Sequence, residues 1–143
     1  MKTYPDADVH VYGHLYSYAA TTGYGTPRND TLQGACPNGW HLPTVEKMNE
    51  VLTYYDPSEL MSTENWVIPG TNATAFSMQP SGLYDSASPF QYQELLTSGI
   101  FWLYTPGSTV YYACKFGYAC SSMEIIPGTA TMNLSIRCIK DRE

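Results

Sequence analysis

Apolar and polar positions change rhythm several times along this chain. Residues 10–20 alternate loosely through Val11, Gly13, Leu15 and Ser17, which predicts an early strand running on through Tyr16, Tyr18, Ala19 and Ala20. Residues 21–34 are rich in Gly, Thr, Asn and Pro and predict a loop. The clearest helix follows Pro43. Thr44 is a good N-cap, Glu46 stands in the first turn, and Val45, Met48, Val51, Leu52 and Tyr55 fall on one face. Asp56 and Pro57 end it, because the residue before a proline avoids helical angles, and Asp56 is placed to cap a short second turn over residues 58–61.

From residue 65 to 89 the chain is turn-rich, with Pro69-Gly70, Pro80-Ser81-Gly82 and Ser88-Pro89. Residues 90–97 read equally as helix or strand. The C-terminal third differs. Residues 100–104 are a compact aromatic run of strand type, and Pro106-Gly107 marks a turn. Residues 110–116 and 121–126 read as two strands joined around Gly117. Pro127-Gly128 marks another turn, and residues 134–139 alternate as a last strand. One helix early and an antiparallel meander late make an α+β domain with long loops.

Composition narrows the surface. The 143 residues make one domain, able to bury roughly 70% of the unfolded chain's surface without help from a metal. Charged residues are 14%, against about 25% in an average protein, while 13 of the 20 aromatic residues are Tyr. No stretch approaches the ~18 apolar residues of a membrane span, so no membrane insertion by this chain is expected. The net charge of −6 argues against nucleic acid, where Lys and Arg supply most of the affinity, and against an anionic membrane surface. Residues 1–10 are polar and lack the apolar run of a signal peptide, which leaves a cytosolic protein or one domain excised from a longer exported chain.

Four cysteines allow three pairings. Zinc needs short-spaced pairs, and Cys114 and Cys120 are separated by five residues, with His10, His14 and His41 far upstream; no metal is expected. A Cys114–Cys120 bridge would staple a hairpin, and Cys36–Cys138 would then close a loop of about 100 residues. The alternative is four reduced, buried thiols. Two disulfides are the favoured reading, and with them an oxidising compartment.

Catalytic patterns are missing. There is no Gly-x-Ser-x-Gly elbow, no phosphate-cradling loop and no acidic Ca²⁺ loop. His41, between Trp40 and Leu42, reads as a packed structural histidine, and Glu46 and Glu50 as a solvated helix face. The expectation is a binding protein without cofactor rather than an enzyme. Tyr104, Tyr111, Tyr112 and Tyr118 lie among Ser, Thr and Gly, the vocabulary of binding loops, where a Tyr gives contact area and a hydroxyl for two frozen torsions. Strand alternation would still bury some of these rings.

Several motifs then point to a family. Tyr12-Gly13-His14-Leu15-Tyr16-Ser17-Tyr18-Ala19-Ala20, Cys36-Pro37-Asn38-Gly39-Trp40-His41-Leu42-Pro43-Thr44 and Asn72-Ala73-Thr74-Ala75-Phe76-Ser77 occur in order. Phe101-Trp102 with Thr105, and Ser135-Ile136-Arg137-Cys138-Ile139-Lys140-Asp141, follow. Over residues 10–141 the chain resembles the Fibrobacter succinogenes major paralogous domain, common in surface proteins of Bacteroidota. The resemblance implies a C-type-lectin-like fold, of the branch shared with formylglycine-generating enzymes, and an exported protein with Cys36 and Cys138 as the family's own pair. It does not imply the oxidase activity of that branch, whose cysteine spacing differs, nor calcium-dependent sugar binding.

The chain departs from the family at Leu103 and Tyr104 and over residues 110–126, where a polar hairpin is usual and two extra cysteines stand here. In some relatives this region is rewritten by diversity-generating retroelements. Leu103, Tyr104, Tyr112, Lys115, Tyr118, Ser121, Met123, Ile125, Thr131 and Asn133 look like such positions and are the expected ligand-binding face. The function expected is cell-surface recognition or adhesion, as at a pilus tip, of a host or bacterial surface protein or glycan, with other domains of the parent protein as further partners. The alternatives are a structural envelope module without its own ligand and a cysteine-dependent oxidase.

Overall fold

Residues 9–23, 27–28, 31–106, 110–117 and 123–141 are described by the structure, a computed structural model of the chain. Helix α1 (Val9–Tyr12) leads to strand β1 (Tyr16–Ser17), helix α2 (Tyr18–Thr22) and the hairpin of β2 (Pro27–Arg28) with β3 (Thr31–Leu32). The strand expected over residues 10–20 is thus cut short after Ser17. Ser17 is extended and its hydroxyl accepts the Ala20 amide at 3.1 Å, a cap that starts a helix where strand was expected.

Strand β4 (Trp40–His41) precedes the main helix α3 (Val45–Tyr54), whose cap is Thr44: its hydroxyl accepts the Lys47 amide at 3.1 Å. Met48 is buried, and Val45, Val51 and Leu52 pack beside it; Tyr55 is the C-cap and is exposed. Helix α4 (Pro57–Leu60) starts from Asp56. The turn-rich stretch that follows holds Asn65, Asn72, Ala75 and Ser77 at positive φ, a region non-glycine residues seldom occupy. Asn72 supports it by accepting the Ser77 amide at 2.8 Å.

Strands β5 (Leu83–Asp85), β6 (Tyr92–Gln93), β7 (Gly99–Leu103), β8 (Tyr111–Phe116), β9 (Met123–Gly128), β10 (Met132–Leu134) and β11 (Ile139–Lys140) complete the chain. All ladders between these strands are antiparallel, in the orders β1-β10-β5-β6, β7-β8-β9 and β4-β11. The described residues form few helices and several antiparallel sheets, an α+β or mostly-β arrangement. Two strand boundaries differ from expectation. Pro127 and Gly128 continue β9 instead of turning, since β9 lies at the edge of its sheet, where a proline is tolerated. Gly128 is needed there: a Cβ would come within 2.4 Å of the Trp102 ring. The last alternating stretch is divided between β10 and β11.

The β7-β8-β9 sheet is covered on both faces. Phe101, Leu103, Cys114, Phe116 and Met123 point to one side, against Met48, Leu60, Met61, Trp66 and Met78. Ile100, Trp102 and Ala113 point to the other, against Leu83 and Leu134. Trp102 anchors that side by donating its indole N–H to the Tyr16 carbonyl at 2.7 Å. A smaller cluster of Leu32, Cys36 and Leu42 packs under Tyr104, Ile136 and Cys138.

The cysteines divide. Cys36 and Cys138 form a disulfide across 102 residues, with Cα atoms 5.9 Å apart. The bridge expected between Cys114 and Cys120 is not made at Cys114, which is a free thiol with no exposed surface. Alternation along β8 sends Cys114 into the core beside Phe101 and Phe116, and burial pushes its thiol up to about 12. Cys120 lies outside the described residues.

Candidate functional site

The disulfide holds β4 beside β11, with His41 opposite Ile139 and Trp40 opposite Lys140. The Asp141 amide extends the contact by donating to the Gly39 carbonyl at 2.8 Å. This brings Asp141 Oδ1 to 2.6 Å from His41 Nδ1. A carboxylate only accepts, so Nδ1 carries the proton and Nε2 is the ring nitrogen left for another partner. His41 is therefore half-buried and carboxylate-bound, not simply packed; the partner is 100 residues away and the neighbouring sequence gives no sign of it.

Tyr104 follows β7 and is tied to the start of α3: its amide donates to the Pro43 carbonyl at 2.9 Å, and it bridges Thr44. Between Tyr104, the His41–Asp141 pair, Lys140 and the first turns of α3 at Glu46 and Asn49 runs an open groove of about 1070 Å³. A recess of about 230 Å³, lined by Gln33, Asn38 and Trp40, shares His41 and Asp141 with it. Lys47 and Glu50 on the groove's helical wall pair at 3.5 Å. Thr105, also in the wall, holds a solvent-shielded hydroxyl with no hydrogen-bond partner. Among the described residues no three His, Cys, Asp or Glu side chains group as a metal site would require.

A second aromatic group adjoins Tyr104. Tyr18 stacks on Tyr111 with ring centres 4.1 Å apart, and both meet Trp102 edge-on. Burial, then the nearby Tyr104 and Tyr111 phenols, pushes the Tyr18 phenol above its ordinary value. Tyr18 is not among the residues expected on the ligand face, since its motif lies far from them in sequence; only the fold brings it to Tyr111.

The described residues of the expected ligand face do not form one surface. Leu103 (1% exposed) and Met123 (9%) are core, because they share the inward side of their strands with Phe101 and Phe116. Tyr112 and Ile125 are half-buried and pack on that core. Lys115 lies on the sheet's other side, paired with Glu94 at 2.9 Å. Thr131 donates to Asp85 at 2.8 Å, and Asn133 is ladder-paired with Ser17 and Tyr84. Tyr104 lines the groove. Tyr118 and Ser121 lie outside the described residues.

The sequence model of the Fibrobacter succinogenes major domain matches residues 2–140, and the chain belongs to that family. No curated protein and no solved structure matches the chain. Among the described residues no helix is long and apolar enough to cross a membrane.

Proposed function

We propose that this chain is a recognition domain of C-type-lectin-like fold, exported and displayed at the cell surface as the adhesive part of a larger protein such as a pilus-tip adhesin. Its ligand is a protein or glycan on a host or bacterial surface, and it has no catalytic role. The observation that carries this is a set of half-exposed tyrosines: Tyr104 lines an open groove beside the disulfide-held strands, and Tyr18, stacked on Tyr111, is near Tyr104. Rigid aromatic surface next to hydroxyl and amide groups suits recognition, because little ordering entropy is lost on contact. Against the oxidase alternative stands Cys114, whose buried thiol stays protonated and unreactive at ordinary pH.

Within this reading, retroelement diversification acts on surface positions such as Tyr104, Lys115 and Thr131 and spares the buried Leu103 and Met123. Sibling genes test it: substitutions spread evenly through core and surface positions sink it. Recognition itself is tested by screening the intact chain against arrayed surface proteins, arrayed glycans and whole cells. Saturable binding that Tyr104→Ala weakens about tenfold or more, in a variant that still folds cooperatively, is the expected result. Absence of binding to all three overturns recognition in favour of a structural envelope module.

A further inference from the structure

We infer that the groove between Tyr104 and the His41–Asp141 pair is an oligosaccharide site that selects neutral sugar chains. This rests on the recognition reading above and names the ligand class for that site. Size comes first: about 1070 Å³ stands just above the range of small-ligand pockets, roughly 300–1,000 Å³, and suits several sugar units in a row.

Charge comes next. The groove holds ionic side chains of both signs: Lys47 pairs with Glu50 at 3.5 Å, and Asp141 accepts from the His41 ring at 2.6 Å. What remains is of mixed sign: Glu46, Lys140 and the carboxylate of Asp141. Charges of both signs stand in the lining, so an ionic ligand meets like charge as well as counter-charge, whereas a neutral polyol meets neither penalty.

The hydrogen-bonding groups match hydroxyls. Nε2 of His41 is held in place because Nδ1 is committed to Asp141. Asn49 offers an amide with a donor and an acceptor side by side on the solvent face of α3. Tyr104 supplies the apolar surface, its ring backed by the cluster of Leu32, Cys36 and Leu42 and so unable to swing inward. A peptide would want a continuous apolar pocket, which this lining, broken by paired charges, does not make.

The test uses the intact, oxidised chain and calorimetric titration with cellohexaose, maltohexaose and mannohexaose, and with a chondroitin sulfate hexasaccharide as the charged comparison. At least one neutral hexasaccharide should bind saturably and better than the sulfated one. Tyr104→Ala and Asn49→Ala should each weaken it about tenfold, and Tyr104→Phe, which keeps the ring, by far less. Asn49 is exposed, so its variant keeps the fold; near-ultraviolet circular dichroism checks the Tyr104 variants. No neutral hexasaccharide binding, a preference for the sulfated sugar, or binding untouched by both alanine variants overturns the inference. If the same preparation still binds proteins or cells through Tyr104, recognition stands and only the sugar assignment falls.

Discussion

The β7-β8-β9 sheet and the rim at β4-β11 use the same residue types to opposite ends. In the sheet, Phe101, Trp102 and Phe116 are shielded from water because a layer covers each face. Tyr104 comes one residue after the last rung of that ladder, Leu103 opposite Tyr112, and is half-exposed. A single step along one strand therefore separates core from candidate ligand surface. Aromatic density in the sequence marks neither; what decides is whether a second layer lies over the strand.

The two regions should break differently. The rim depends on one covalent bond, so replacing Cys36 and Cys138 together by Ser should lower the unfolding free energy by roughly 4–5 kcal/mol, the chain-entropy value for a loop of this length. Urea denaturation with and without reductant measures it. A loss under about 1 kcal/mol would mean that the ladder and the His41–Asp141 pair hold the rim unaided.

Next comes the sheet. Leu103→Ala removes a side chain that is 1% exposed and should cost about 3 kcal/mol, inside the usual range for a buried leucine. A change within about 0.5 kcal/mol, as at ordinary surface positions, would return Leu103 to the ligand face suggested by its departure from the family pattern.

The sheet should also respond to base in a way the rim does not. The Cys114 thiol is raised to about 12 in the fold, above its unfolded value of about 8.5. A raised value means that the native state keeps a proton the unfolded chain gives up. Its stabilising contribution is whole below pH ~8.5 and is lost as pH climbs towards 12. Stability should fall by about 2 kcal/mol between pH 8.5 and 10, and Cys114→Ala should flatten that slope. An equal slope in the variant would assign the loss to other groups.

The sequence showed the sheet better than the rim. Helix α3 was legible because Thr44 and Pro57 punctuate it locally, β7 because Ile100 to Leu103 is a continuous apolar run, and β8 because Tyr111, Tyr112 and Phe116 mark its two ends. Helix α2 was not, since Ser17 was read for alternation and not as a cap. Both Cys114 and Pro127 were read for local pattern, whereas β8 alternation and the edge position of β9 decide their roles. The Cys36–Cys138 bond was legible from the family motif and from cysteine pairing, although the pairing argument reached it through a Cys114–Cys120 bridge that is not made at Cys114. Nothing local could join His41 to Asp141, because that contact is made by the pairing of β4 with β11.

That contact sets the finest distinction between the regions. Its carboxylate is 48% exposed and its imidazole 20%, so water screens the attraction and the pair should be worth no more than about 1 kcal/mol. Asp141→Asn should therefore shift the melting temperature by only a few degrees, far less than Leu103→Ala. Its effect should be on orientation. The wild-type carboxylate accepts only and fixes the proton on Nδ1, whereas an amide can face the ring with its oxygen or its NH₂ group. ¹⁵N spectra of the imidazole should show one tautomer in the wild type and a mixture in Asp141→Asn. A loss of 3 kcal/mol or more, the scale of a broken buried pair, would make His41–Asp141 as structural as the sheet and erase the contrast between them.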